Sequence, residues 1–323
     1  MEIKLSVVIP TYRRPKLLLN CLNALTTQNF DPGAFEIIVV SDGPDKLTET
    51  MLTNWSKLNY PLVRYFHTDE KKGPAAARNY GWLNARAKLV AFTDDDCLPD
   101  ENWLQAFYSH YQQEHIVAFS GRTIVPLPEK PTDYELNIAG LQSADFITAN
   151  CCCTKKALAL AGGFDEQFTM AWREDSDLEF KMIQANIPIV KVNGAIVTHP
   201  VREAPWGISI KEQRKTLYNA LLYKKYPALY RQKIQPVPPV HYYTVVVSFL
   251  IMIVGLAFHQ STMLYGGLLF WTALSLWFVF QRLRATTLQP RHVLEMMVTS
   301  LCIPFLSLYW QWYGAIKYRV FLL

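Results

Sequence analysis

The first hundred residues alternate between short apolar runs and longer segments in which apolar residues recur at helical spacing. The predicted strands are 5–9, 35–40, 62–66 and 88–93, and the predicted helices are 15–28, 46–58 and 74–87. Short strands separated by helices of this length indicate βαβ units, because parallel neighbours need a crossover connection. The pattern therefore predicts the α/β fold class, with a mostly parallel sheet flanked by helices.

Residues 116–201 follow a less regular pattern. The predicted elements are a strand at 116–120, a proline-rich loop at 125–131, a helix at 178–185 and one or two strands within 187–199. In a parallel sheet, ligands bind beyond the carboxyl ends of the strands. The polar residues that end the predicted strands, Thr11, Asp42 and the acidic triplet 94–96, are therefore the first candidates for a functional site.

The last third of the chain is dominated by apolar residues. Residues 240–258 and 262–280 are each almost wholly apolar over about 19 residues, close to the ~20 that a helix needs to span a bilayer. A buried core hairpin is the alternative for these two segments. A third stretch, 293–316, is long enough to cross, but Glu295, Pro304 and the aromatic cluster 310–313 also suit a helix that lies partly in the interface.

Charge placement predicts the orientation of these helices. The turn 259–261 has no Lys or Arg, whereas the following segment 281–292 contains three arginines. By the positive-inside rule, that segment and the N-terminal region face the cytoplasm. We therefore expect a multi-pass protein of the inner (cell) membrane, with a cytoplasmic domain at 1–235 and a membrane region at 236–323 that are joined by the proline-rich linker 235–239.

Other compositional features agree with this compartment. The N-terminus shows no signal-peptide pattern, and the six cysteines form no CxxC pair, so we expect reduced cytosolic thiols. The net charge of +5 is mild, and no nucleic-acid partner is expected. The basic residues of 211–233 suit either an anionic lipid surface or a solvated helix face.

The acidic triplet needs a partner, because three adjacent carboxylates repel one another. An EF-hand loop needs a glycine at its sixth position, where this chain has Pro99. The glycine patterns of a Rossmann dinucleotide site and of a Walker A loop are also missing from 10–15 and 73–79. A Mg²⁺ or Mn²⁺ ion that bridges a diphosphate remains, with Asp94 and Asp96 on one side of an extended segment. An acidic cap before a helix starting within 99–105 is the alternative.

Six short motifs in order resemble those of the family-2 glycosyltransferases of the GT-A fold. They lie at 6–12, 39–43, 73–79, 93–99, 162–166 and 173–178, so the resemblance covers about the first two thirds of the chain. The resemblance implies a substrate-binding group, which comprises Pro10, Thr11, Asp42, Arg78, Asp94, Asp95 and Glu174. Among these, Thr11 and Asp42 would contact the nucleotide base and ribose. Asp96 of the DxD element would hold the metal, with His199 as a second metal ligand.

The resemblance also implies a catalytic base, Asp175, in an inverting single displacement. Taken alone, each of these residues has a simpler interpretation: Asp42 as a turn carboxylate, Arg78 as a surface cation, His199 as a structural imidazole and the cluster at 174–177 as a helix cap. The processive synthases of the superfamily carry a Q-x-x-R-W element, which the segment 213–217 lacks. A single sugar transfer is therefore expected.

The predicted function is thus a membrane-anchored inverting glycosyltransferase. Its donor would be a nucleotide-diphosphate sugar, its acceptor a lipid-linked or glycan molecule, and its cofactor Mg²⁺ or Mn²⁺. Two alternatives stay open at this point. One is a membrane scaffold that binds nucleotide sugars without turnover, and the other is a nucleotidyltransferase, although that class normally has a glycine-rich loop after the first strand.

Overall fold

The computed structural model describes residues 2–57, 61–112 and 115–321. The chain forms two compact units. The first comprises Met1–Pro126 and Ala139–Val201, and the second comprises Leu127–Ile138 and Arg202–Leu323. The division after Val201 comes earlier in the chain than the predicted domain boundary at residue 235. The segment Leu127–Ile138 joins the second unit although both of its flanks belong to the first.

Eight strands form one sheet in the described part of the first unit. They are β1 (Leu5–Thr11), β2 (Phe35–Ser41), β3 (Leu62–His67), β4 (Leu89–Phe92), β5 (Leu98–Pro99), β6 (Ala118–Ile124), β7 (Cys151–Thr154) and β8 (Ile189–Thr198). Their order is β3-β2-β1-β4-β7-β6-β8-β5. The strands β3, β2, β1 and β4 are parallel to their neighbours in this series, and β6 is parallel to β8. Strand β7 is antiparallel to β4 and β6, and β5 is antiparallel to β8. The predicted α/β class with a mostly parallel sheet is confirmed.

Helices flank this sheet and continue into the second unit. In the first unit they are α1 (Pro15–Thr26), α2 (Lys46–Ser56), α3 (Pro74–Leu83), α4 (Trp103–His110), α6 (Lys155–Ala161) and α7 (Glu174–Gln184). Except for its last residue, α5 (Asp133–Ala139) belongs to the segment Leu127–Ile138 of the second unit. Residues 5–11 and 35–41 are buried throughout because both faces of their strands are covered. One face packs through Ile9 and Ile37, and the other through Val8 and Ile38.

Several element boundaries differ from those predicted. The predicted helix 15–28 ends at Thr26, where the hydroxyls of Thr26 and Thr27 bond to backbone carbonyls of the last turn. The predicted end of α2 at residue 58 lies outside the described residues. Helix α7 begins at Glu174, so the acidic cluster at 174–177, which was expected at the start of this helix, forms its first turn. Residues 98–99 pair with β8, and the helix expected to start within 99–105 begins at Trp103.

The second unit is helical. Its further helices are α8 (Ile208–Glu212), α9 (Leu217–Lys225), α10 (Pro227–Lys233), α11 (Val240–Ala257), α12 (Ser261–Leu283) and α13 (Pro290–Tyr318). By length and composition, α11, α12 and α13 are candidate membrane spans among the described residues. Helices α11 and α12 match the two predicted spans at 240–258 and 262–280, and α13 contains the third stretch at 293–316.

Candidate active site

Polar side chains meet at the carboxyl ends of β1, β2 and β4. Thr11, the last residue of β1, donates its hydroxyl to Asp95 Oδ2 at 2.7 Å, and Arg14 lies 3.0 Å from Asp95 Oδ1. Burial raises the pKa of Asp95 to about 6, although Arg14 and Thr11 act in the opposite direction. Asp95 therefore connects β4 to the loop after β1. The predicted Pro10 lies buried inside β1, in register with Val40.

The acidic triplet is not extended. After β4 the chain turns, and the Cys97 N–H donates to the Asp94 carbonyl at 3.1 Å. The expectation that Asp94 and Asp96 lie on one side of an extended segment is therefore wrong. The turn forms because the Cys97 side chain belongs to the hydrophobic core and residues 98–99 must reach β8. Each carboxylate consequently has different neighbours.

Arg78 on α3 joins two parts of the site. Its guanidinium donates to Asp94 Oδ1 at 2.7 Å and to Glu174 Oε1 at 3.1 Å, and the residue is only 2% exposed. Although burial opposes it, the charge of Arg78 lowers the pKa of Asp94. At Glu174 the balance is reversed: burial, with a contribution from Asp175, raises the pKa to about 7 despite Arg78. The guanidinium thus holds the DxD element and the start of α7 together.

Asp42 shapes the loop that leads into α3. Its Oδ1 accepts hydrogen bonds from the backbone N–H groups of Lys72 at 2.7 Å and Gly73 at 2.9 Å. Gly73 has φ of +104°, and a Cβ there would lie 2.6 Å from the Thr169 carbonyl oxygen. Only glycine fits this close approach, which fixes the N-terminus of α3 and with it the position of Arg78.

Asp96, Cys97 and His199 form a candidate cation site. One ligand atom from each lies within 4.8 Å of the others, and His199 Nε2 is 3.7 Å from Asp96 Oδ1. Burial raises the pKa of the Cys97 thiol well above its usual value, which favours the neutral thiol over a metal-binding thiolate. The buried Nδ1 of His199 lacks a hydrogen-bond partner within the described part of the chain. A carboxylate and an imidazole with an unused nitrogen fit a divalent ion such as Mn²⁺.

Asp175 lies in the first turn of α7. The residue before the helix, Arg173, has φ of +74°, a conformation that is uncommon for a residue with a side chain. The Ser176 N–H donates to Asp175 Oδ1 at 2.7 Å and orients the carboxylate. Burial raises the pKa of Asp175, although the Ser176 hydrogen bond lowers it. A carboxylate with a raised pKa in a half-buried position has the properties of a general base.

Two features of the site are not among the residues predicted from the sequence. One is the contact of Arg14 with Asp95. The other is a pair of cations at the Tyr12 ring: the Lys71 ammonium lies 4.2 Å and the Arg13 guanidinium 5.1 Å from the ring centroid. The sequence does show these cations, because two arginines lie within five residues of the end of the first predicted strand and two lysines precede Gly73. Cations at these strand ends suit a phosphate-bearing ligand.

Comparison with known proteins agrees with this geometry. Residues 6–160 match the model of the glycosyl transferase family 2. The chain is 34% identical over 100 residues to the glycosyltransferase AglE of Haloferax volcanii, an alignment that covers 31% of this chain and 33% of AglE. It is 27% identical over 274 residues to the chondroitin synthase of Escherichia coli, covering 71% of this chain and 39% of that protein.

The chain therefore spans only a third to two fifths of these relatives' lengths. A solved structure, the mannosyltransferase PcManGT of Pyrobaculum calidifontis with GDP-Man and Mn²⁺, is similar to 99% of the chain. The similarity covers 88% of that structure, with a TM-score of 0.55 and 14% identity, and thus concerns the fold. Residues 6–160 are thus similar to the family-2 glycosyltransferases, and the fold of the chain is similar to that of PcManGT.

Proposed function

We propose that the chain is a membrane-anchored, metal-dependent inverting glycosyltransferase that transfers one sugar from a nucleotide-diphosphate sugar to a lipid-linked or glycan acceptor. The observation that carries the proposal is the Arg78 bridge. It joins Asp94 of the DxD element to Glu174, the neighbour of Asp175. A metal-binding element and a candidate base are thereby held in one rigid arrangement, which a single displacement requires.

Asp96 and His199 are the residues that would hold the metal. When bound, a divalent ion supplies positive charge for the diphosphate leaving group. The structure of PcManGT, which has a similar fold, contains GDP-Man and Mn²⁺. This supports a nucleotide-sugar donor and a divalent metal for the present chain. Thr11, Arg14 and Asp95 would position the nucleotide portion from the end of β1.

Asp175 would act as the base. The acceptor hydroxyl transfers its proton to the Asp175 carboxylate while its oxygen attacks the anomeric carbon of the donor sugar. The bond between that carbon and the phosphate oxygen breaks on the opposite face, so the configuration inverts. The nucleoside diphosphate leaves with the electron pair of the broken bond, and Asp175 returns its proton to solvent.

The second unit supports anchoring in a membrane. Three of its helices are long and apolar enough to cross a bilayer, and only 11% of the apolar window of α11 and of α12 is buried. The polar turn between them lacks Lys and Arg, whereas Arg282 and Arg284 follow at the end of α12. We propose that this hairpin lies in the cell membrane with the catalytic unit in the cytoplasm, next to a membrane-bound acceptor.

The function is tested by incubating the purified full-length chain with nucleotide sugars, Mn²⁺ and a lipid extract. We expect release of nucleoside diphosphate together with a glycosylated product, measured by mass spectrometry. Donor binding without release would instead favour the non-catalytic scaffold. Release of pyrophosphate from a nucleoside triphosphate and a sugar phosphate would favour a nucleotidyltransferase.

Asp96→Ala is expected to weaken Mn²⁺-dependent binding of the nucleoside diphosphate by roughly tenfold or more, or about 1.4 kcal/mol. The reason is the loss of the carboxylate that lies 3.7 Å from His199 Nε2. Calorimetric titration with and without Mn²⁺ measures the effect. The matched control is Glu101→Ala, which removes an exposed carboxylate from the loop before α4. Equal Mn²⁺ dependence in both variants would contradict the assignment of Asp96.

A further inference from the structure

Helix α13 has two distinct faces in its first and last turns, and the residues between them, 302–308, are buried or half-buried. The exposed apolar positions include Leu294, Met297, Leu301, Tyr309, Trp312 and Ile316. The buried positions on the other face include His292, Met296, Thr299, Ile303, Ser307 and Gly314. Within each set the positions are three or four residues apart, or a sum of such steps, which is the period of an α-helix. An apolar stripe of this kind suits contact with lipid, and the contacts of the opposite face indicate how the helix lies.

The first half of α13 is tied to polar segments of its own unit. Glu295 Oε1 accepts a hydrogen bond from the Gly207 N–H at 2.6 Å, just before α8. Thr299 and Ser300 accept hydrogen bonds from Arg282 at 2.7 and 3.1 Å. The same guanidinium forms a two-point ion pair with Asp133 in the segment Leu127–Ile138.

The last turns of α13 contact polar segments as well. A Cβ at Gly314 would collide with the backbone of Leu217, so the two backbones are in close contact where α9 begins. The Arg214 guanidinium lies 5.8 Å from the Trp310 ring centroid. Gln311 shares a pocket with Tyr223 of α9 and with Tyr243 in the first turn of α11. The end of α13 is therefore level with the beginning of the first span.

Only the middle of α13 reaches deeper along the hairpin. The Phe305 ring lies 5.2 Å from that of Phe249, which is roughly 14 Å along α11 from Val240 at ~1.5 Å per residue. That is about half of the ~30 Å hydrocarbon thickness. Pro304, next to this deepest point, removes a backbone N–H donor within the helix. The middle of α13 thus lies beside the hairpin, whereas both of its ends lie beside α8, α9 and the start of α11.

The side on which both ends lie follows from chain connectivity. Among the described residues, the first candidate span begins at Val240, so α8 and α9 remain on the same side as the catalytic unit. The segment Leu127–Ile138 is on that side too, because both of its flanks belong to the catalytic unit. Gly314 contacts α9, and Thr299 contacts Arg282, which pairs with Asp133 of this segment. Both ends of α13 must therefore be on that side as well.

We propose that α13 is not a third span but an interfacial helix, inserted in the catalytic-side leaflet with both of its ends on the catalytic side. Its apolar stripe faces the acyl chains, and its buried polar face covers α8 and α9. The aromatic residues at 309–313 then lie at the headgroup level, which Trp and Tyr favour. The inference rests on the proposed membrane hairpin of α11 and α12.

Sidedness of single cysteines in the full-length chain tests the proposal. Lys46→Cys marks the catalytic unit, Gln260→Cys the hairpin turn and Lys317→Cys the end of α13, each at an exposed position. All three are made with Cys302→Ser, since the other native cysteines are buried. A membrane-impermeant maleimide is applied to spheroplasts and to inverted vesicles of the expression host, and a protease-cleavable epitope after Leu323 gives a second readout.

We expect Lys46→Cys and Lys317→Cys to react only in inverted vesicles and Gln260→Cys only in spheroplasts, with the epitope cleaved only in inverted vesicles. Reaction of Lys317→Cys, or cleavage of the epitope, on the side of Gln260→Cys would overturn the proposal and leave the anchoring intact. Reaction of all three cysteines on one side would instead remove the membrane hairpin and this inference with it. If Lys317→Cys is shielded, cleavage of the epitope decides.

Discussion

Asp175→Asn is expected to lower kcat by about 10²-fold to 10⁴-fold while leaving the affinity for the donor unchanged. The amide retains the shape of the side chain and can still accept the hydrogen bond from the Ser176 N–H. It has almost no basicity, however, so the acceptor hydroxyl keeps its proton. Steady-state kinetics with the donor identified in the panel, together with calorimetric donor titration, separate the two effects.

The pH profile gives an independent check on Asp175. Because burial raises its pKa, the wild-type kcat should fall with decreasing pH at a value above that of an ordinary aspartate, as the base becomes protonated. The residual rate of Asp175→Asn should lack this limb. Asp100→Asn, an exposed aspartate in the loop after the DxD element, is the control and should keep both rate and profile. Wild-type turnover in Asp175→Asn would assign the base to another residue.

Arg78→Met is expected to destabilise the catalytic unit by about 3–5 kcal/mol, because it leaves Glu174 and Asp94 without their shared cation. Denaturation of the full-length protein in detergent, followed by tryptophan fluorescence, measures the shift of the unfolding midpoint. Arg78→Lys should recover only part of the loss, since one ammonium cannot form the two-pronged contact of a guanidinium.

Two further variants show whether the bridge causes this effect. Arg86→Met removes an exposed arginine 3.8 Å from Glu36 and should change the stability by no more than about 1 kcal/mol. Adding Glu174→Gln to Arg78→Met should restore part of the stability, because the buried carboxylate that lost its partner is then neutral. Equal midpoints for Arg78→Met and Arg86→Met would mean that the bridge contributes little to the fold.

The sequence predicted the sheet well because its central strands are short, apolar and buried on both faces. Such runs are evident without knowledge of their neighbours. Predictions were weaker where an element depends on a distant partner. Residues 98–99 are a strand only because β8 lies beside them.

By itself, the sequence determined the α/β class, the strand-end position of the acidic triplet, the family resemblance and the apolar character of the C-terminal third. These properties follow from local periodicity and from motifs that are contiguous in the chain. The tertiary structure alone decided that Arg78 bridges Asp94 and Glu174 and that His199 approaches Asp96. It also decided which elements the two ends of α13 contact. Such relations join residues far apart in sequence, and only the packing of the elements that carry them fixes their distances.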